Sequence, residues 1–203
     1  MSEYTPTRSV VLELRDEQRA MRQGHEFLDE KCLLLAGEIV RELARYATLE
    51  REVVAACDAT TRALAAAVAR HGLEGLQVYP PGDLAHAIAT RRQRSLMGVR
   101  LVEASLDANL SVADAPVDPS PEAERLRLAC VLLAERSAPL AAVAGNLERL
   151  SLEYQRSLRR ARAIADVILP EMEHVTRDLE TRIEELEQED ATFMSRAAQR
   201  GRV

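Results

Sequence analysis

Apolar residues in the last third of the chain recur in alternating steps of three and four. Leu140, Val143, Leu147, Leu150 and Tyr154 begin the series, and Leu158, Ala161, Ala165, Ile168, Met172, Val175 and Leu179 continue it. Ile183, Leu186, a polar Asp190, Phe193 and Ala197 close it. This spacing keeps one seam facing a partner helix, so residues 137–203 read as one very long α-helix. Two consecutive four-residue steps, around Tyr154 to Leu158 and Leu179 to Ile183, are expected to unwind the supercoil locally. A second seam runs through Val11, Leu14, Gln18, Met21, His25, Leu28, Cys32, Leu35 and Ile39. After a slip it passes Leu43, Tyr46, Val53, Cys57, Thr60 and Leu64. Thr5-Pro6 reads as the start of this helix, a threonine cap followed by proline at the first helical position. His71-Gly72 reads as its end, with glycine in the left-handed C-cap conformation.

The texture changes between the two seams. Leu76-Gln77-Val78-Tyr79 is strand-like, Pro80-Pro81-Gly82-Asp83 is a turn signal, and Leu84 to Thr90 fits a strand or a short helix. A basic patch (Arg91, Arg92, Arg94) precedes Leu96-Met97-Gly98-Val99-Arg100-Leu101-Val102, which reads as another strand. Pro116, Pro119 and Pro121 bar helix until Ser120-Pro121 opens the return. The expected fold is all-α: a long antiparallel two-helix coiled coil with a small central β-hairpin or head. The parts are an N-terminal helix over residues 1–72, a connection over 73–119 and a C-terminal helix over 120–203. Helices joined by a turned connection run antiparallel. Pro139 and Pro170 predict kinks or breaks in the return helix.

Composition supports long helices. Only 3% of residues are aromatic and tryptophan is absent, while 30% are charged. The net charge is −6 and both signs are interspersed, which disfavours a nucleic-acid-binding surface. Lys31 is the only lysine, a bias that reads as genomic rather than functional. No apolar run reaches the roughly 20 residues of a membrane span and the N-terminus lacks a signal-peptide pattern, so a cytoplasmic protein is expected. Cys32, Cys57 and Cys130 are widely spaced in helical segments and read as buried thiols rather than disulfides or metal ligands. Apolar residues also fall outside the seams: Leu33, Leu34 and Leu35 sweep about 200° of helix surface, and Val131, Leu132, Leu133 and Val167, Ile168, Leu169 repeat the pattern. One partner helix cannot cover that arc. Either the head thickens the coil there or other subunits do.

Little in the chain points to catalysis. A two-helix rod has no interior beyond its seam. His25, His71, His86 and His174 do not pair at metal-ligand spacing, and no glycine loop cradles phosphate, so neither metal nor cofactor is expected. His25 and Cys32 share a seam but stand two helical turns apart, which favours packing over a thiolate–imidazole pair. The run Glu184, Glu185, Glu187, Glu189 and Asp190 reads as a solvated helix face. Arg156, Arg159, Arg160 and Arg162 either grip an acidic partner or solvate the coil.

The residues Pro6-Thr7-Arg8, Leu12, Leu14, Gly24, Leu28, Lys31 and Leu35 resemble the opening of the D subunits of the V-type (A/V-type) rotary ATPases. Met97-Gly98-Val99-Arg100-Leu101 resembles that family's Gly-Val strand. Arg159-Arg160-Ala161-Arg162-Ala163-Ile164-Ala165, with Val167-Ile168-Leu169-Pro170, resembles its arginine-rich segment running into an aliphatic-proline motif. The order is kept over most of the chain. Arg162 and Ala165 stand where the family usually has asparagine and glutamate, and Val102 where it usually has proline. The resemblance implies a non-catalytic central-stalk shaft that couples ATP hydrolysis or synthesis to ion transport by rotation. Its implied partners are the catalytic and nucleotide-binding ring subunits (A and B type), the small stalk subunit (F type) and the membrane-ring socket subunit (C/d type). The protein itself would lie peripheral to the membrane without spanning it. Pro6, Thr7, Arg8, Leu12, Arg159, Arg160, Arg162, Leu179, Ile183 and Leu186 would form the partner interface. The alternative is a coiled-coil scaffold or adaptor unrelated to ATPases.

Overall fold

The computed structural model describes residues 5–77, 87–108 and 119–200, with side chains to 197. Helix α1 spans Arg8–Gln77, strands β1 Ile88–Leu96 and β2 Val99–Asp107 follow, and α2 spans Pro121–Ala163. A π-helical turn, Ile164–Ile168, leads into α3, Leu169–Arg200. The expected all-α fold with a small central hairpin is the one observed. The chain groups into two compact units, Met1–Leu33 with Gln155–Val203 and Leu34–Tyr154.

The start of α1 lies two residues beyond the expected cap. Thr7, not Thr5, caps it: its Oγ1 accepts from Val10 N–H at 3.4 Å and its carbonyl from Val11 N–H at 3.2 Å. Pro6 therefore precedes the cap instead of occupying the first turn. At the far end Gly72 interrupts the helical backbone with φ 70° and ψ 167°, a region open essentially to glycine alone. The position matches the expected end, but the ψ is extended and not left-handed helical. Helical geometry then resumes to Gln77, so Leu76 and Gln77 are helical where a strand was expected. Val78 to Asp83, and Leu84 to His86, lie outside the described residues. Ser120-Pro121 begins α2 as the sequence indicates, with Ser120 Oγ accepting from Ala123 N–H at 3.1 Å.

The strand assignment over Leu96–Val102 needs correcting. Met97 and Gly98 form a two-residue turn with φ of 47° and 85°, and Leu96 pairs with Val99 across it. Positive φ at both central residues is what the right-handed twist of a tight hairpin favours. Arg91, Arg92 and Arg94 consequently lie within β1 and not between elements.

The two prolines of the return helix behave differently. The helix runs on through Pro139. Ahead of Pro170 the backbone loosens into the π-helical turn, where Leu169 N–H donates to Ile164 O, five residues back. Proline has no N–H and its ring crowds the carbonyl four residues earlier, here that of Asp166; the wider turn accommodates both.

Candidate functional site

In the unit holding both chain ends, α1 and α3 run antiparallel. Val11, Leu14 and Leu179 form a buried cluster, flanked by Val10, Val175 and Ile183. Three ion pairs line its flank: Arg8–Glu187 at 2.6 Å, Arg15–Glu180 at 2.7 Å and Arg22–Glu173 at 2.9 Å. Each step of seven along α1 is a step of seven back along α3, as expected for charges flanking a heptad seam. Inside the seam, Gln18 Nε2 donates to Thr176 Oγ1 at 3.0 Å, and Thr176 Oγ1 donates to Met172 O at 2.7 Å. Both side chains are buried, so the pair matches only one register.

The second unit mounts the hairpin on α1 and α2. Leu35, Val99, Leu101 and Leu150 form its core, with Ile39, Leu96, Met97 and Tyr154 packed around them. Beside this core lie two carboxylates that the apolar pattern does not reveal. Glu38 and Glu42 are 2% and 1% exposed. Arg94 of β1 hydrogen-bonds to Glu38 and lies 3.5 Å from Glu42. Arg41 contacts Glu38 Oε2 at 2.6 Å and Arg45 donates to Glu42 Oε1 at 2.9 Å. The hydrogen bond to Glu38, with the charges of Glu38, Glu42 and Glu103, holds the Arg94 pKa above its ordinary value against the opposing effect of burial. A buried carboxylate pair of this kind requires cations, and α1 supplies two while the hairpin supplies the third.

Asn146 of α2 secures the other strand. Val102 N–H donates to Asn146 Oδ1 at 2.8 Å, and Asn146 Nδ2 donates to Val102 O at 2.9 Å. The register explains the fit. Counting from Leu96↔Val99, Val102 pairs with Gln93 at a position whose backbone groups point away from the partner strand. The amide of Asn146 offers one donor and one acceptor, standing in for the missing third strand. Arg149 Nη2 donates to the same Oδ1 at 2.8 Å, which fixes the amide's orientation. Farther along, Ala108 N–H donates to Glu135 Oε1 at 3.3 Å.

The residues singled out in the sequence are dispersed. Arg8 is engaged by Glu187, Thr7 caps α1, Pro6 is half-buried and Leu12 is 60% exposed. Leu179 is buried in the seam, Ile183 packs beside it and Leu186 is 47% exposed. Arg159, Arg160 and Arg162 are exposed and, with Arg156, make no ion pair among the described residues. His25 Nδ1 approaches Asp29 at 3.4 Å and not Cys32, whose thiol is buried. Leu33, Leu34, Leu132 and Val167, outside the seams, are all at least 44% exposed, as are Phe193 and Met194 toward the end of α3. The helical run Pro121–Ala197 contains an 18-residue window of mean hydropathy 1.5, long and apolar enough to cross a membrane by length and composition.

Glu38, Glu42 and Asn146 escaped the sequence reading because they occupy inward positions without being apolar. A usable signal existed. The steps Leu35, Glu38, Glu42, Tyr46, Leu49, Val53, Ala56, Thr60, Ala63 and Ala67 are all threes and fours, alternating except for the doubled four through Glu42, and every one of these is buried or half-buried. Leu43, Cys57 and Leu64, placed in the seam by their apolarity, are exposed instead.

Heptad ladders, a polar register pair and a hairpin pinned to its helices define a class of protein: an antiparallel helical coiled coil carrying an inserted β-hairpin, whose groups bind and brace. The particular family follows from comparison. Residues 10–199 match the family described as the D subunit of ATP synthase, and the chain belongs to that family. It is 23% identical over 198 residues to the V-type ATP synthase D subunit of Thermotoga neapolitana, covering 94% of this chain and 95% of the relative. It is 22% identical over 199 residues to the A-type ATP synthase D subunit of Methanopyrus kandleri, with 97% and 86% covered. With the A-type ATP synthase D subunit of Pyrococcus abyssi it shares 26% identity over 193 residues, with 91% and 88% covered.

Proposed function

We propose that this chain is the non-catalytic central-stalk shaft of an A/V-type rotary ATPase, turning within a ring of nucleotide-binding subunits and coupling their ATP chemistry to ion transport. The observation that carries this reading is the family match, which runs unbroken through both long helices and the hairpin. The physical features suit the role. A heptad-paired coiled coil resists twisting slippage when its register is fixed by a buried polar pair, as at Gln18 and Thr176. Faces that differ around the helix, some apolar and some charged, let adjacent ring sites prefer different rotational positions, and such differential binding is what links rotation to nucleotide state.

On this reading Pro6, Thr7, Arg8, Leu12, Ile183 and Leu186 meet the A- and B-type ring subunits, with Leu179 bracing the seam beneath them. Arg159, Arg160 and Arg162 face an acidic partner surface. The F-type stalk subunit and the C/d-type socket engage other parts of the chain. The protein works in the cytoplasm, peripheral to the membrane, and hydrolysis or synthesis of ATP takes place on its partners.

The test is affinity purification of the tagged full-length chain from native extract, with co-purifying proteins identified and ATPase activity assayed. The expected result is a ring of about three A–B pairs per shaft. Leu179→Asp, which places a charge in the seam, should lower ATP-driven ion pumping more than ATP hydrolysis. Recovery of the chain as a free homo-oligomer, with no nucleotide-binding partner, would instead establish the scaffold reading.

A further inference from the structure

The hairpin treats its two edges unequally. At positions opposite Leu106, Ala104, Val102 and Arg100, the N–H and C=O groups of Ala89, Arg91, Gln93 and Ser95 point away from β2. On the β2 edge, Asn146 takes both outward groups of Val102. On the β1 edge no described residue takes the corresponding groups, and β1 is exposed from Ile88 to Ser95. Such an edge is a template for one further strand.

The charge on this strand selects what can pair with it. β1 carries Arg91, Arg92 and Arg94 and no acidic residue. Arg94 is committed to Glu38 and Glu42, whereas Arg91 and Arg92 pair with no carboxylate among the described residues. A second copy of β1 would set arginines against arginines, which is destabilising for directly opposed strands. We propose that the free edge of β1 is a docking site for an acidic, extended segment of a partner protein, which adds to the hairpin as a third strand. Backbone bonds to Ala89, Arg91, Gln93 and Ser95 supply the pairing, and Arg91 and Arg92 select acidic side chains. The inference needs only the hairpin and stands independently of the shaft reading.

The probe is a short fluorescent peptide alternating glutamate and valine, titrated into the full-length chain. Two controls accompany it: the same peptide with lysine for glutamate, and the acidic peptide N-methylated at every residue, which leaves neither edge able to donate. Binding is followed by anisotropy and by amide hydrogen exchange at Ala89, Arg91, Gln93 and Ser95. The acidic peptide is expected to slow exchange at these four amides, and neither control should. Gln93→Pro removes one outward N–H at an edge position where proline is tolerated, and should weaken binding about tenfold. Continued protection of the Val102 amide would report that the hairpin of this variant is intact. The double change Arg91→Glu and Arg92→Glu should reverse the preference toward the basic peptide. Failure of the acidic peptide to bind, binding without slowed exchange at the four amides, or equal binding by Gln93→Pro would each overturn the proposal. So would concentration-dependent protection of the same amides in the chain alone, which would make a second copy the occupant.

Discussion

Asn146 shows how much one side chain can fix. Replacing it with alanine leaves the outward N–H and C=O of Val102 unpaired in a half-buried setting, at a cost of about 2 kcal/mol. Urea denaturation should show that loss, and exchange at the Val102 amide should accelerate. Val102→Pro is expected to cost a similar amount, because proline has no N–H for Asn146 to accept. Val102, standing where the family usually has proline, is thus what lets Asn146 close both bonds. Arg94→Met removes the hairpin's cation from Glu38 and Glu42 and should destabilise by about 3 kcal/mol. The cysteines, all three expected to be buried, divide instead, with only Cys32 inside. Burial, reinforced by Asp29 and opposed by Lys31, pushes the Cys32 thiol up from its ordinary value, whereas Cys57 and Cys130 are exposed. At mildly alkaline pH a disulfide reagent should modify Cys57 and Cys130 first and Cys32 only on unfolding.

Among the elements, the hairpin depends on its turn. Gly98 at φ 85° tolerates a side chain poorly, so Gly98→Ala should destabilise by about 1 kcal/mol. Met97, at φ 47°, is the costlier choice at its own position, and Met97→Asn should raise the thermal midpoint. The first turn of α2 carries a pH dependence. Arg127 donates to Glu124 and holds its carboxyl below the ordinary value of 4.5. A depressed folded pKa contributes stability that is present above the unfolded value and lost as pH falls through the folded one. Amide protection at the start of α2 should therefore decline below about pH 4.5, only modestly because Glu124 is exposed. Arg127→Ala removes the cause of the depressed carboxyl and should abolish most of that decline.

For the molecule as a whole, the ladder of Arg8, Arg15 and Arg22 with Glu187, Glu180 and Glu173 matters more for pairing choice than for stability. Exposed pairs contribute about 0.2–1 kcal/mol each, so high salt should lower the melting temperature only slightly. Changing all three arginines to glutamate places like charges along the whole flank. Amide exchange in residues 8–22 and 173–187 should then accelerate, while that of the hairpin stays as it was. The family match covers both helices and the hairpin, so each of these tests can be read against assembly as well as against folding.

The sequence by itself determined the long helices, the hairpin between them, the cap at Ser120 and the break at Gly72, because periodicity and the chemistry of single residues act locally. It also exposed the family resemblance, since motif order survives divergence. Only the tertiary structure decided that Glu38, Glu42 and Asn146 are interior. Their burial depends on Arg94 and Val102, which lie 52 to 56 and 44 residues away in the chain. It likewise decided that Leu43, Cys57 and Leu64 face outward, for apolarity states a preference for burial while register determines which positions receive it. Nor did a pattern of hydrophobic residues mark Met97-Gly98 as a turn: both flanks are apolar, and the choice rested on two positive φ angles that the paired strands impose.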